Sequence, residues 1–224
     1  MGSSEAVAHN GLPIPPAKHP FRTTKISAMT WYRVHRYEAS TGKFAPNQFN
    51  PTTIGDARFS PLIDPATNNV IPTLYAAQKP EGAIAEIVLH DVPTPSAGYL
   101  HDWERDKAGD LHLSEIELGD AHLVNLTAMG LKAPGLSVAD LFGTDATDYP
   151  RTRQWAAYIW RTMPTAQGLY WMSVRDNRCG VVMLFGDRFA ANTIKDLGRS
   201  RPIAEFESVV VEMLDQMGCG IALS

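Results

Sequence analysis

The chain has 224 residues, with 20 Lys and Arg, 24 Asp and Glu, a formal net charge of -4 and 44% hydrophobic residues, the composition of an ordinary globular domain. A slightly acidic chain without long basic runs binds a phosphate backbone poorly, so we expect no direct contact with nucleic acid. The sequence has no apolar stretch of membrane-spanning length, and its first residues lack the signal-peptide pattern, so we expect no membrane insertion and a cytoplasmic location.

The cysteine and histidine patterns give no indication of a metal site. Cys179 and Cys219 lie far apart in the chain, and we expect both to be small core residues rather than zinc ligands or a disulfide. The seven histidines form no pair at helical spacing and no His-Glu-x-x-His motif. We therefore predict that no metal takes part.

Residues 1–29 are the first predicted region. Four prolines lie there among polar residues, and no periodicity of a helix or strand is present. This pattern predicts an extended N-terminal arm, followed by a single domain over residues 30–224.

The first elements of that domain are two strands and a helix. Aromatic and β-branched residues predict strands at 31–35 and 73–77. Pro80 is typical of a helix start and precedes an apolar helix at 81–90. The proline-rich and charged residues at 91–110 predict a long exposed connection.

The second half of the chain continues with strands and helices. Gly119 and Asp120 predict a hairpin between strands at 111–118 and 121–126. Capping residues and apolar periodicity predict the remaining elements, which are a short helix from Ser137 to Asp140 onward, a helix at 150–163, a strand pair at 169–174 and 179–185, and a helix at 204–217 that ends at Gly218. Since these elements do not alternate as strand–helix–strand units, we predict an α+β fold with a compact antiparallel sheet flanked by helices.

Glu86 is the charged residue most in need of an explanation. It stands within an apolar helix segment, where a carboxylate is costly unless it is paired, hydrogen-bonded or directed into a cleft. Glu86 is therefore either a structural ion-pair partner or a catalytic carboxylate.

Two arginines lie in unusual surroundings. Arg33 is inside an apolar strand, and Arg58 lies in a turn-rich segment next to Phe59. Each fits a salt bridge at the surface, but the pair also fits a grip on a pyrophosphate, because a guanidinium binds phosphate oxygens through two parallel hydrogen bonds.

Tyr75 and Ser173 complete the set of candidates. Tyr75 either packs in the core or stacks on an aromatic ligand. Ser173 either hydrogen-bonds a ligand or caps the turn that follows it. No Gly-x-Ser-x-Gly motif surrounds Ser173, which argues against a Ser-His-Asp hydrolase.

In chain order these residues resemble the RES-domain family, which is named for its Arg, Glu and Ser. The resemblance covers about residues 30 to 190. Its motifs are Tyr32-Arg33, Gly55-Asp56-Ala57-Arg58-Phe59-Ser60-Pro61, Thr73-Leu74-Tyr75-Ala76-Ala77, Ala83-Ile84-Ala85-Glu86 and Tyr170-Trp171-Met172-Ser173. One departure is Ala57-Arg58-Phe59, where the family often has Gly-Arg-Trp.

The resemblance implies a fold similar to ADP-ribosyltransferases and a toxin that consumes NAD+ as its substrate. Glu86 would stabilise the oxocarbenium-like state formed when the nicotinamide–ribose bond breaks. Arg33 and Arg58 would hold the pyrophosphate, Tyr75 would stack on nicotinamide or its ribose, and Ser173 would hydrogen-bond that end of the substrate. Arg33 and Tyr75 would thereby join Glu86 as catalytic residues.

The resemblance also implies a partner, a helical Xre-type antitoxin that blocks the pocket, with the toxin as a homodimer or in a hetero-oligomer with it. The favoured reaction is NAD+ cleavage by water or phosphate. Ile84 stands where a transferase often has a second acidic residue, which disfavours mono-ADP-ribosylation of a protein. The third alternative is a binding module that has kept the pocket without turnover.

Overall fold

The computed structural model describes residues 15, 20–38, 40–93, 96–143 and 146–222, so most of the predicted N-terminal arm lies outside the described residues. The strands are β1 (Thr23–Ile26), β2 (Met29–Arg36), β3 (Leu62–Ile63), β4 (Val70–Ile71), β5 (Thr73–Ala77), β6 (Leu100–His101), β7 (Leu111–Leu118), β8 (Ala121–Asn125), β9 (Gly168–Met172), β10 (Gly180–Phe185), β11 (Ile194–Pro202) and β12 (Gly220–Ile221). The α-helices are α1 (Pro80–Ile87), α2 (Trp103–Lys107), α3 (Val138–Phe142), α4 (Tyr149–Thr162) and α5 (Glu207–Gln216).

Eight strands form the central sheet in the order β1-β8-β9-β10-β5-β2-β7-β11. Neighbouring strands are antiparallel except for β8 and β9, which run parallel and are joined through α3 and α4. The mixed α and β architecture with a mainly antiparallel sheet confirms the predicted fold class.

The predicted hairpin at Gly119-Asp120 is wrong. Strands β7 and β8 occupy the predicted residues, but β7 pairs with β2 and β11, whereas β8 pairs with β1 and β9. In a flat sheet the four strands between them would separate β7 from β8 by about 24 Å. The link from Leu118 to Ala121 spans at most about 11 Å, so the sheet must curl until these two strands approach each other.

The curl separates two apolar clusters, one on each face of the sheet. The cluster on the inner face consists of strand residues alone and includes Trp31, Leu74 and Ile116. The cluster on the other face, here called the helix face, contains core residues of the strands together with α1, α4 and α5. Because side chains alternate along a strand, each position of β2 and β5 belongs to one face or the other.

Two segments predicted to lie outside the core belong to it. At the end of the predicted arm, Phe21 is buried and Thr23–Ile26 pairs with β8. The local sequence does not indicate this pairing, because the partner strand lies about 100 positions further along the chain. The predicted exposed connection at 91–110 contains β6 and α2, and it buries His101 and Trp103 completely.

Strands β3, β4, β11 and β12 were not predicted, whereas the remaining predicted elements agree with their sequence patterns. Strand β5 has the predicted bounds, Pro80 stands in the first turn of α1, and Ser137 and Asp140 form the predicted capping box. Cys179 is buried, as predicted, and Cys219 is half-buried. Among the helices of the described residues, we find none whose length and apolar character would let it span a bilayer.

Candidate functional site

Helix α1 brings Glu86 to the edge of the helix-face core. The helix buries Gly82 through Ala85, while Glu86 is half-buried and Ile87 is 39% exposed. Gly82 lets the helix approach the sheet, because a Cβ added there would lie 2.3 Å from the Cys179 sulfur. Glu86 thus lies at the boundary between the core and solvent.

Ser173 holds the Glu86 carboxylate. Its hydroxyl donates to Glu86 Oε1 at 2.6 Å and accepts from the backbone N–H groups of Arg175 and Asp176 at 3.2 and 3.0 Å. A hydroxyl has one proton and two lone pairs, and these three bonds use all of them. Ser173 therefore caps the turn, one of its two predicted roles, and has no proton left for a ligand.

Arg58 lies on a turn that helix α4 fastens in place. The Thr152 hydroxyl donates to the carbonyl of Arg58, and the Arg153 guanidinium donates to the carbonyl of Ala57 at 3.2 Å. The Arg58 guanidinium donates to the carbonyl of Leu141 at 3.0 Å. The arginine is thus oriented by the beginning of α4 and the end of α3.

Aromatic rings surround the Arg58 guanidinium. Its carbon lies 5.7 Å from the ring centre of Phe142 and 5.2 Å from that of Tyr149, within the range of cation–π contacts. Phe142 in turn stacks on the buried Trp171, with ring centres 5.9 Å apart. The aromatic cluster thereby links Arg58 to strand β9, which leads to Ser173.

Arg58 and Glu86 share one electrostatic environment. Burial lowers the pKa of the Arg58 guanidinium, the charges of Tyr149 and Glu86 raise it, and the charge of Arg175 lowers it. A half-buried cation near a carboxylate and a second cation is an arrangement that suits a ligand with both anionic and developing positive charge.

Tyr75 lies on the helix face, where its ring makes an edge contact with Trp171 at 6.3 Å. The residue is half-buried, but its hydroxyl is fully buried and burial raises the pKa of that group. The hydroxyl lies beside Ser60, yet it makes no hydrogen bond of normal geometry within the described residues. The ring rather than the hydroxyl is the part that a ligand can reach.

Arg33 does not join these residues. It follows Trp31 by two positions on β2, so it lies on the inner face, whereas Tyr32 and Val34 belong to the helix face. One nitrogen of Arg33 donates to the carbonyls of Pro46 and Gln48 at 2.7 and 2.9 Å. The structure brings Glu86, Ser173, Arg58 and Tyr75 together and places Arg33 on the opposite face of the sheet.

The first turn of α4 carries the residues that the sequence analysis overlooked. Tyr149, Thr152 and Arg153 follow the i, i+3, i+4 spacing and therefore share one face of the helix. That face contacts the Arg58 turn. The signal available in the sequence was the polar stripe of this predicted helix, which lies beside its apolar stripe.

Two surface cavities lie away from Glu86. One, of about 220 Å³, lies between Lys79, Asp176 and Glu212, and the other, of about 560 Å³, lies between Gln48, Phe49 and Phe189. The region around Glu86 is the better candidate for the functional site, because charged and aromatic groups converge there. Within the described ranges no group of three or more His, Cys, Asp or Glu side chains could hold a metal ion.

The profile of the RES domain matches residues 30–204, and no curated protein matches. Among solved structures, the chain is similar to one in the crystal structure of the M. tuberculosis MbcT-MbcA toxin-antitoxin complex, with 17% sequence identity and a TM-score of 0.55. The match covers 81% of this chain and 88% of the other, and at this identity it supports the fold alone.

Proposed function

The chain belongs to the RES-domain family, and from that premise we propose that it consumes NAD+ by cleaving the bond between nicotinamide and ribose. The observation that carries this proposal is the half-buried Glu86 carboxylate, held by Ser173 on the same face of the sheet as Arg58 and Tyr75. A structural ion pair would require a cation bonded to Glu86. Within the described part of the chain the carboxylate is bonded through Oε1 to a hydroxyl instead.

Glu86 supplies the negative charge for the reaction. As the bond to nicotinamide lengthens, positive charge develops on the ribose, and a fixed carboxylate stabilises that charge most strongly where water is partly excluded. Ser173 occupies Oε1, which leaves Oε2 to face the sugar. The proposed role of Ser173 is therefore to position Glu86, in place of the predicted direct contact with the substrate.

Arg58 and Tyr75 bind the substrate. The Arg58 guanidinium bonds the pyrophosphate, and the Tyr75 ring stacks on nicotinamide or its ribose. Arg33 has no part in this site because it lies on the inner face. Of the two arginines predicted to grip the pyrophosphate, only Arg58 lies in this site, and Arg153 of α4, which bonds the carbonyl of Ala57, is the neighbouring cation.

The acceptor of the ADP-ribose is open to experiment. Ile84 would disfavour transfer only if positions two apart shared a face, as they do in a strand, but Glu86 lies on a helix. Positions two apart on a helix point about 200° away from each other, and Ile84 is fully buried. Ile84 therefore no longer disfavours transfer to a protein, and mono-ADP-ribosylation is the second candidate.

A single assay tests the proposal and separates the candidates. Purified protein is incubated with NAD+, with and without phosphate, and the products are resolved by chromatography. We expect free nicotinamide together with ADP-ribose, or with its phosphorylated form when phosphate is present. Nicotinamide release only when cell protein is added, with ADP-ribose attached to that protein, would instead support transfer.

Two variants of α1 make the assay specific to the site. Glu86→Gln should lower turnover on the order of 100- to 1,000-fold, because the amide lacks the charge that stabilises the sugar cation. Glu81→Gln removes a carboxylate from the first turn of the same helix and should retain activity. Intact NAD+ under every condition, or equal activity of parent and Glu86→Gln, would overturn the proposal.

We also propose that a toxin-neutralising protein covers this site, as an antitoxin. Ile87 and Val174 directly follow Glu86 and Ser173 and are 39% and 48% exposed, which gives the site an apolar rim suited to a protein partner. The similar M. tuberculosis chain was crystallised in a toxin-antitoxin complex. A stable complex with a cognate Xre-type protein should lose NAD+ cleavage, and a complex that keeps full activity would contradict this part of the proposal.

A further inference from the structure

The turn that follows β9 also contacts the segment after helix α1, through Arg175. One nitrogen of its guanidinium donates to the carbonyl of Val92 at 2.7 Å, and the other terminal nitrogen donates to the carbonyl of His90. Both carbonyls belong to the segment immediately after α1, which ends at Ile87. The side chain of Arg175 thus ties the turn to the C-terminal side of the helix that carries Glu86.

The same residue also belongs to the hydrogen-bond network of Ser173. The backbone N–H of Arg175 donates to the Ser173 hydroxyl at 3.2 Å, and that hydroxyl donates to Glu86 at 2.6 Å. The turn therefore fixes Glu86 twice: Ser173 holds its carboxylate, and Arg175 holds the backbone beyond its helix. From these contacts we propose that Arg175 is a positioning residue, which keeps α1 and the Ser173 turn in the relative position that the Glu86 carboxylate requires.

The electrostatics of α1 favour this contact. The last turn of the helix has no basic residue of its own, although the C-terminal end of a helix carries partial negative charge. Arg175 places a positive charge beyond that end, at the carbonyls of His90 and Val92. Because both terminal nitrogens bond carbonyls, the guanidinium is oriented toward the backbone and away from a ligand phosphate.

A second role for Arg175 would give different kinetics. Its charge lowers the pKa of Arg58, so Arg175 could instead raise substrate affinity as part of a positive field. The positive field would act on binding of the anionic substrate, and Arg175→Lys would preserve it because lysine carries the same charge. A positioning effect acts on the alignment of Glu86 during bond cleavage, and Lys cannot bond both carbonyls in the geometry of the guanidinium fork.

This inference rests on the proposed NAD+ cleavage, and the kinetic test uses that reaction. We expect Arg175→Ala to lower kcat about tenfold or more with KM nearly unchanged, because small misplacements of a catalytic group have effects of that size. Arg175→Lys should regain only part of kcat. An unchanged kcat, or a raised KM that Lys restores, would overturn the positioning role.

Arg178→Ala is the matched control. Arg178 lies in the same turn and its side chain is 66% exposed, but it bonds Asp176 and, among the described residues, has no hydrogen bond or ion pair to the segment after α1. It should keep both kcat and KM. Arg175 is itself exposed, so its removal should leave the core packed and the variant folded.

Amide hydrogen exchange tests the same contact without any reaction. In Arg175→Ala, the amides of residues 86–92 should exchange faster than in the parent, whereas Arg178→Ala should match the parent there. If the parent cleaves no NAD+ but this difference is present, the proposed function fails and the contact stands. Equal exchange in all three proteins would overturn the role of Arg175 even if NAD+ is cleaved.

A double-mutant cycle joins the two measurements. Because Ser173 and Arg175 act on one carboxylate, the effects of Ser173→Ala and Arg175→Ala on kcat should not add, and the double variant should be little slower than the slower single variant. Additive losses would show that the two residues act independently and would contradict the proposal.

Discussion

The two faces of the eight-stranded sheet hold arginines in different ways. On the inner face, Arg33 bonds two backbone carbonyls of one loop, and burial lowers its pKa to about 10. On the helix face, Arg58 lies between aromatic rings in a region that also contains Glu86, Tyr75 and a second guanidinium. Whether an arginine supports the fold or binds a ligand therefore depends more on the groups that its guanidinium contacts than on how deeply it is buried.

This difference extends to the residues around each arginine. On the inner face the buried apolar residues all belong to strands, Phe49 and Phe189 pack against them, and His35 bonds Ser114 at 2.8 Å. The helix face receives side chains from α1, the Arg58 turn, α4 and the turn after β9. Helices, turns and strands converge on the helix face, so a site can be assembled there from separate parts of the chain.

The largest expected effect tests the architectural role of Arg33. Arg33→Ala should lower the free energy of unfolding by about 2–3 kcal/mol, because the carbonyls of Pro46 and Gln48 lose a charged donor. Urea denaturation followed by tryptophan fluorescence measures this change. Arg36→Ala on the same strand, where the side chain is exposed, should stay close to the parent. A loss no larger than in the control would contradict the architectural role.

On the helix face, Ser173→Ala should act on turnover. Glu86 loses the bond that orients it, so kcat for NAD+ should fall about ten- to hundredfold with little change in KM. Steady-state kinetics measures both constants. A raised KM with a normal kcat would show that Ser173 binds the substrate directly.

Gly82→Ala probes how closely α1 packs on the sheet. The added methyl would lie 2.3 Å from the Cys179 sulfur, an overpacking cost of about 1–3 kcal/mol. Alanine regains about 1 kcal/mol of helix propensity, so the net loss of stability should be about 1 kcal/mol. Thermal unfolding with Cys179→Ala as a second substitution tests the cause, since removal of the sulfur should restore stability. If the second substitution does not restore stability, the added methyl clashes with a group other than the Cys179 sulfur.

The inner face also predicts a pH dependence of stability. Burial lowers the pKa of His35 to about 3, below its ordinary value of 6.5. Between these values the unfolded chain binds the proton and the folded chain does not, so stability falls as the pH decreases from 6.5 toward 3, by up to about 1.4 kcal/mol per pH unit.

Denaturation curves at several pH values between 4.5 and 7 measure this slope. His35→Gln removes the titrating group and should flatten the slope, whereas His122→Gln at an exposed position should leave it as in the parent. An unchanged slope in His35→Gln would assign the pH dependence to other groups.

The local patterns of the sequence predicted most elements, because helix caps, apolar stripes and β-branched runs are properties of neighbouring residues. The bounds of β5 and the capping box at Ser137 are examples. Most of the failures were long-range. The partners of β7 and β8, the strand at Thr23–Ile26 and the burial of Trp103 depend on segments far away in the chain.

The site residues show the same difference between local patterns, which the sequence reveals, and long-range pairing, which it does not. The unusual settings of Glu86, Arg58 and Tyr75 were visible in the sequence, and these residues lie on one face of the sheet. Arg33 looked equivalent to Arg58, because an arginine in an apolar strand reveals nothing about which face it will occupy. Its side follows from the register of β2, with Tyr32 opposite Ala77.

Binding of NAD+ by two matched variants tests the division between the faces most directly. In a Glu86→Gln background, where the substrate should remain intact, calorimetry gives the Kd for NAD+ before and after Arg58→Lys or Arg33→Lys. Lysine keeps the positive charge at each position but loses the two parallel hydrogen bonds that a guanidinium makes with phosphate. We predict that Arg58→Lys raises Kd about tenfold and that Arg33→Lys leaves it within about twofold. A large increase for Arg33→Lys with an unchanged Kd for Arg58→Lys would contradict the assignment of the site to the helix face.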